Sequence, residues 1–170
     1  MEFKEISVNE INENVFEMIG KQWMLVTAAK SKEDVNTMTA SWGGLGIMWG
    51  KPVAFVFIRP QRYTKEFIDN SDTLSLTFFD ESYRKMLSYM GSNSGRDGDK
   101  IQNQNLTLLF EEDTPYFEEA EVVLKTKKLY AQEMGAEFLL DKEIEGKWYP
   151  EHDWHTMYVC EIEKILVKNK

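Results

Sequence analysis

The run Val53-Ala54-Phe55-Val56-Phe57-Ile58, followed at once by Arg59-Pro60-Gln61-Arg62-Tyr63-Thr64, sets the architecture of this chain. A short apolar run rich in β-branched and aromatic residues fits a strand buried on both faces better than a helix of that length. The corner after it holds Arg59, Arg62 and Lys65 with no acid among them, in a chain of formal net charge −9. That is a local positive field against a repulsive background, and an anion suits it. A helix expected over Thr64 to Asn70 would aim its first N–H groups and its dipole at the same place, a combination that favours a phosphate.

A second polar block lies upstream, Asn36-Thr37-Met38-Thr39-Ala40-Ser41-Trp42, and Thr37 to Trp42 alternates like a strand. Trp42, Met38 and Tyr63 could cover a flat ring beside the cationic corner. Elsewhere the pattern predicts a helix around Glu10 to Ile19 and a strand over Trp23 to Ala29, ended by the polar loop Ser31 to Asp34. Gly43, Gly44 and Gly46 break the second strand. A strand over Thr73 to Phe79 and a helix over Tyr83 to Met90 follow, with Asp80 or Ser82 as cap. Gly91 to Gly98 reads as a loop carrying Ser94 and Arg96, and Asp99-Lys100-Ile101 as one further helical turn. Glu121 to Met134 and Thr156 to Lys168 are long strands around the polar stretch Leu140 to Asp153. Strands therefore arrive in runs, which favours a mainly β fold, an antiparallel sheet or barrel with a few peripheral helices, over a parallel doubly wound sheet.

At 170 residues and 42% apolar composition, the chain has the size of one domain, residues 1–170, with enough apolar material for a core. Its 29 acidic against 20 basic residues argue against a broad face for nucleic acid or an anionic membrane. The start Met1-Glu2-Phe3-Lys4-Glu5 lacks the features of a secretory signal, and no stretch reaches the length of an apolar membrane span, so the expected location is the cytoplasm. Cys160 is the single cysteine, which excludes an intrachain disulfide and a cysteine-based zinc site. Its place in a strand-like alternation suits a small buried hydrophobe. There is no internal repeat.

Familiar motifs fail on spacing. Gly44-Leu45-Gly46 opens like a dinucleotide fingerprint, but its third glycine falls late at Gly50 and Pro52 leads into a strand where a helix should receive the pyrophosphate. Gly46 to Lys51 is one residue short of a phosphate loop and is followed by Pro52 where Ser or Thr would bind magnesium. His152 and His155 have no soft third ligand nearby, so no metal site is expected. No serine sits in a glycine elbow, and a nucleophilic triad has no support. On the residues alone, Asn36 to Trp42 also fits a plain amphipathic strand with Met38 and Trp42 in the core. Arg59, Arg62 and Lys65 likewise fit a solvated charge cluster, and Arg96 and Lys100 a charged surface loop; Trp23 and Trp49 read as core.

Taken in order, Asn36 to Trp42, Trp49-Gly50-Lys51-Pro52, Arg59 to Thr64, Ser94-Gly95-Arg96-Asp97-Gly98-Asp99-Lys100 and His155 at the head of the last strand make a chain that resembles the flavin reductase-like family of FMN-binding split barrels, over roughly residues 15 to 167. Arg-Pro-x-Arg-Tyr-Thr is the most specific block. The resemblance implies a Greek-key split β-barrel with short flanking helices and a homodimer holding two FMN molecules near the subunit interface. It places Asn36, Thr37, Met38, Thr39, Ser41 and Trp42 along the ribityl chain and isoalloxazine edge, and Arg59, Arg62, Tyr63 and Thr64 at the phosphate. Ser94, Arg96 and Lys100 would close the site, and His155 would stand where a nicotinamide or other substrate approaches.

The implied activity is an FMN-dependent oxidoreductase, an NADH- or NADPH-dependent flavin reductase passing electrons to a flavin, a small acceptor or a redox partner protein. Hydride chemistry at a flavin needs no protein nucleophile, in keeping with the missing triad. Two further readings stand beside it: a flavoredoxin-like electron carrier without direct nicotinamide use, and a flavin-binding protein without turnover.

Overall fold

A computed structural model describes residues 2–169. Among them the chain forms β1 (Phe3–Ile6), a short helix α1 (Val15–Glu17) running into a π turn (Met18–Gln22), then β2 (Met24–Ser31), β3 (Asp34–Ala40), β4 (Gly43–Met48) and β5 (Lys51–Ile58). Helix α2 (Thr64–Asp69), β6 (Thr73–Phe78), α3 (Arg84–Ser92) and α4 (Lys100–Asn103) follow. The last third holds the hairpin β7 (Leu108–Glu111) and β8 (Thr114–Phe117), then β9 (Val122–Glu133), α5 (Glu143–Trp148) and β10 (Thr156–Lys168).

The main sheet runs β3-β2-β6-β9-β10-β5-β4, with β1 beside β10, and its pairings are antiparallel. Strand β10 meets β9 along its length, β5 with its first half and β1 with its last. Register shifts at Val159/Cys160 and Ile162/Lys164 bend it, so its two halves can serve different neighbours. Met38, from β3 at one end of this order, and Val56, from β5 near the other, enter the same buried cluster with Met24, Leu74, Leu124 and Tyr158. Both ends of the sheet therefore face one core, and the sheet is curled around it. The fold class is the mainly β one that the strand pattern implied.

A second cluster fills the outer face, where Leu25, Val123 and Leu166 meet Met86, Leu87 and Met90 of α3 and Phe117 of β8. Strands β2 and β9 are thus buried on both faces over their first halves. Leu76 and Leu124 stand opposite each other across β6 and β9, both essentially inaccessible. Truncating either to alanine should cost about 2–5 kcal/mol.

Five local readings are corrected. The helix expected over Glu10 to Ile19 is a 3-10 turn at Val8–Glu10 and a separate start at Asn14, whose side chain accepts from the Phe16 and Glu17 amides. The glycines expected to end pairing instead lie inside β4: a Cβ at Gly43 would stand 2.8 Å from the Phe55 carbonyl oxygen, and those at Gly44 and Gly46 would meet the Phe55 ring. Bare backbone at Gly43 is what lets β4 pack there, whereas at Gly44 and Gly46 a methyl would make ordinary contact. Trp49 and Gly50 link β4 to β5 as a two-residue turn with φ of 52° and 70°, the type I′ pattern that follows strand twist. Trp49 is therefore 56% exposed and touches Tyr130, and is not core. The polar stretch before β10 carries α5, and α3 extends to Ser92 into the expected loop. Cys160 is fully buried.

Candidate functional site

The corner after β5 is built as two turns. Arg62 N–H donates to the Arg59 carbonyl and Lys65 N–H to that of Arg62, so the chain leaves the strand and enters α2 within a few residues. Glu66 N–H is likewise taken by Tyr63, and the helix start offers fewer open donors than the sequence suggested. The charge at this corner comes instead from side chains. Arg59, Arg62 and Lys100 all line one groove of about 420 Å³ together with Asn36, Tyr63, Thr64, Ser94 and Asp153.

Each cation is held by the protein. Arg59 donates to Asp153 Oδ2 at 2.6 Å and to the Trp148 carbonyl at 2.8 Å; Gln61 donates to the same carboxylate oxygen at 2.7 Å. Arg62 donates to the Gly91 carbonyl at 2.8 Å, and Lys100 Nζ to that of Met90 at 3.0 Å. Both carbonyls belong to the last turn of α3, where unpaired carbonyls concentrate. Lys100 is 5% exposed, and burial, with Arg62 adding to it, pushes its ammonium down to about 8. Asn36 Nδ2 donates to Thr64 Oγ1 at 2.9 Å, tying β3 to α2. Gly95 lies against this pair, since a Cβ there would come within 2.2 Å of Asn36 Oδ1. Asp153 Oδ1 is buried without a hydrogen-bond partner, although the Gln61 and Arg59 bonds hold the carboxyl below its ordinary range.

A smaller chamber of about 170 Å³ continues the groove through Met38, Arg59 and Arg62, and adds Thr39, Ser41, Trp42, Phe57, Trp148 and His155. Trp42 is 40% exposed at its mouth, with Trp148 edge-on at 5.0 Å and the His155 ring tilted at 5.2 Å. Behind His155, Tyr149 stacks on Trp154 at 4.3 Å and carries the Arg59 guanidinium over its ring at 4.9 Å. His155 is pushed down to about 4, first by burial and then by the positive charges of Arg59 and Arg62, so its ring is neutral at pH 7.

The chain thus gathers Asn36, Met38, Thr39, Ser41, Trp42, Arg59, Arg62, Tyr63, Thr64, Ser94, Lys100 and His155 along one continuous depression. Three expected residues are placed differently. Thr37 turns its side chain into the core, where its hydroxyl meets Thr27 Oγ1 at 2.8 Å and the Val26 carbonyl at 3.2 Å. Strand alternation puts it on the face opposite Asn36 and Met38. Arg96 stands behind the wall, pairing with Glu66, donating to the Gln61 carbonyl and lying 4.5 Å over the Tyr63 ring. Lys65, read as a third corner cation, pairs with Asp69 along α2 at 2.7 Å. Gln61, Trp148 and Asp153 were not anticipated; the crowding of Trp148, Tyr149 and Trp154 just before His155 was the available signal. A larger cleft of about 720 Å³ lies on another part of the surface, but Lys21, Arg84 and Lys168 there share the lining with four acids, Glu13, Asp80, Glu81 and Glu121. Among the described residues, no group of three His, Cys, Asp or Glu side chains is arranged for a metal ion.

A family profile, the flavin reductase like domain, matches residues 16–170. The chain belongs to the flavin reductase-like family. No curated protein matches the sequence. Among solved structures, the FMN-binding domain of a flavin reductases-like enzyme from Shewanella baltica is 15% identical, with a TM-score of 0.69 over 98% of this chain and 77% of the other. A flavoredoxin from Methanosarcina acetivorans is 20% identical, with a TM-score of 0.68 over 96% and 77%. The NADH:FAD oxidoreductase of Streptomyces globisporus is 13% identical, with a TM-score of 0.65 over 86% and 75%. At such identities these likenesses speak for the fold, and family members share with this chain the curled sheet around which the groove is set.

Proposed function

We propose that the groove holds FMN, its phosphate at Arg59, Arg62 and Lys100 and its ring in the chamber beside Trp42 and His155, and that the protein is an oxidoreductase drawing electrons from NADH or NADPH. The observation that carries this reading is the meeting of three cations with the Thr64 and Ser94 hydroxyls in one groove that opens directly into an aromatic chamber. Charge-assisted hydrogen bonds contribute about 1.5–3 kcal/mol each. Two or three of them supply much of the roughly 8 kcal/mol of micromolar binding. The donor set fits the group: cations and hydroxyls for a phosphate, and a slot walled by the Trp42, Phe57, Trp148 and His155 rings with polar groups among them for a flat heterocycle.

Bound FMN supplies the exchange of a hydride or of single electrons. The chain's own work is position and protection. Arg62 and Lys100 are already oriented by the carbonyls at the end of α3, which limits the entropy lost on closing around an anion. Met38 walls the join between groove and chamber, and Trp42 and Trp148 restrict water at the mouth. The reading includes a homodimer, supported by Ile47, Trp49, Leu129 and Tyr130, large apolar side chains exposed on β4, the β4–β5 turn and β9. No described helix is long and apolar enough to cross a membrane; location in the cytoplasm is part of the proposal. The acceptor is a flavin, a small molecule or a partner protein.

The test is spectroscopic. Protein reconstituted with FMN should carry the yellow flavin bands after desalting and lose them under anaerobic NADH or NADPH. Retained colour that only a reduced protein donor bleaches would assign the flavoredoxin-like role instead. Folded protein that leaves FMN fluorescence and mobility unchanged would overturn the site itself.

A further inference from the structure

We infer that Tyr149 is a positioning residue that fixes His155 as the tautomer with its proton on Nε2, so that the chamber offers a neutral hydrogen-bond donor to a carbonyl or carboxamide oxygen of the incoming substrate. The phenol oxygen stands 2.6 Å from His155 Nδ1, and Tyr149 and His155 are only 3% and 6% exposed. Which atom carries the shared proton follows from the surroundings. Nδ1 is the hydrogen-bond partner the structure gives the Tyr149 hydroxyl; were Nδ1 protonated as well, the phenolic proton would be buried without an acceptor. Burial raises the Tyr149 phenol, with Asp153 adding to and Arg59 opposing that shift, so the hydroxyl keeps its proton to donate. Nδ1 therefore accepts, and the ring's own proton sits on Nε2.

The ring carries no charge with which to act as a cation. Arg59 and Arg62 disfavour a second proton more than Asp153 favours one, and burial acts in the same direction. Nε2 belongs to a ring that lines the chamber beside Trp42, and among the described residues it has no protein partner. Tyr149 is itself immobilised between Trp154 on one side and the Arg59 guanidinium on the other, so the setting of the imidazole passes back to the same arginine that lines the anion groove. The substrate class that fits is a planar compound whose carbonyl oxygen needs a donor, which a reduced nicotinamide's carboxamide provides.

The tautomer half of the inference is independent of flavin; the substrate half rests on the proposed function. The chain has two histidines, so ¹⁵N-histidine spectra of the flavin-free protein, with His152→Ala for assignment, resolve His155 alone. From pH 6 to 8 we expect Nε2 to resonate as protonated and Nδ1 as unprotonated, with Tyr149→Phe mixing the tautomers. A protonated Nδ1 in the wild-type protein overturns the inference even if Tyr149→Phe does not fold. Reconstituted His155→Gln, which keeps a donor at the distal position, should retain severalfold more donor-driven reduction than His155→Ala, chiefly in KM for the donor. Equal KM values in the two would overturn the substrate half while leaving flavin binding, read separately by titration, intact.

Discussion

The two ends of the depression are built from opposite materials. At the anion end, every cation is already engaged with a protein acceptor: Arg59 with Asp153, Arg62 with Gly91, Lys100 with Met90. At the ring end, Trp42, Trp148, Tyr149, Trp154 and His155 lean on one another through ring edges and faces, with a single hydrogen bond between side chains. On the proposed function the contrast implies separate jobs, with charge and fixed donors setting affinity and shape and one oriented imidazole setting the rate. Mutations at the two ends should therefore separate in the quantities they change.

Arg62→Ala should have the largest effect, weakening FMN binding tenfold or more, as loss of a charge-assisted contact of at least about 1.4 kcal/mol requires. A fluorescence-quenching titration checks it, and an unchanged Kd would remove Arg62 from the grip. Lys100 sharpens the same end through pH. Its ammonium, at about 8 in the free protein, loses its proton as pH rises, so FMN affinity should fall by about tenfold from pH 7 to pH 9. Lys100→Arg should flatten that slope. The folding sign runs the other way: below about 8 the buried charge costs stability, and between 8 and the ordinary lysine value the folded state regains it as pH rises.

The ring end should answer differently. His155→Ala should slow flavin reduction severalfold while moving FMN affinity little; stopped-flow reduction beside a titration separates the two, and the reverse pattern would mean that the imidazole holds cofactor. Smallest of all, Trp148→Ala removes an exposed edge contact with Trp42 worth about 0.5–1.5 kcal/mol. It should raise the rate at which bound FMN leaves by a few-fold, measured by displacement.

The strands were legible from an apolar run at Val53 to Ile58 and from apolar residues interleaved with charged ones at Thr156 to Lys168, and both stand essentially where their patterns put them. Legibility failed where a residue serves a neighbour distant in sequence. Glycines usually end a strand, yet those of β4 lie within it, and Gly43 makes room for the Phe55 carbonyl. The polar segment before β10 hid α5 because its role is contact with Trp42 and Arg59, a property no local period reports. In the candidate site, the cations and hydroxyls were readable from residue type and spacing, whereas the carboxylate that balances Arg59 was not: Asp153 comes from a segment ninety-four positions away. Thr37 was misread for the opposite reason, since a list of polar residues ignores which face of the strand each one occupies.

Trp42 and Trp148 guard the chamber while Trp23 and Trp49 stand away from its lining, one beneath Arg84 and the other in the β4–β5 turn. The chain thus carries its own optical gauge. On the proposed reading, a flavin ring held in the chamber beside these two indoles should quench their emission more than that of the outlying pair, so ultraviolet emission should report occupancy without any label.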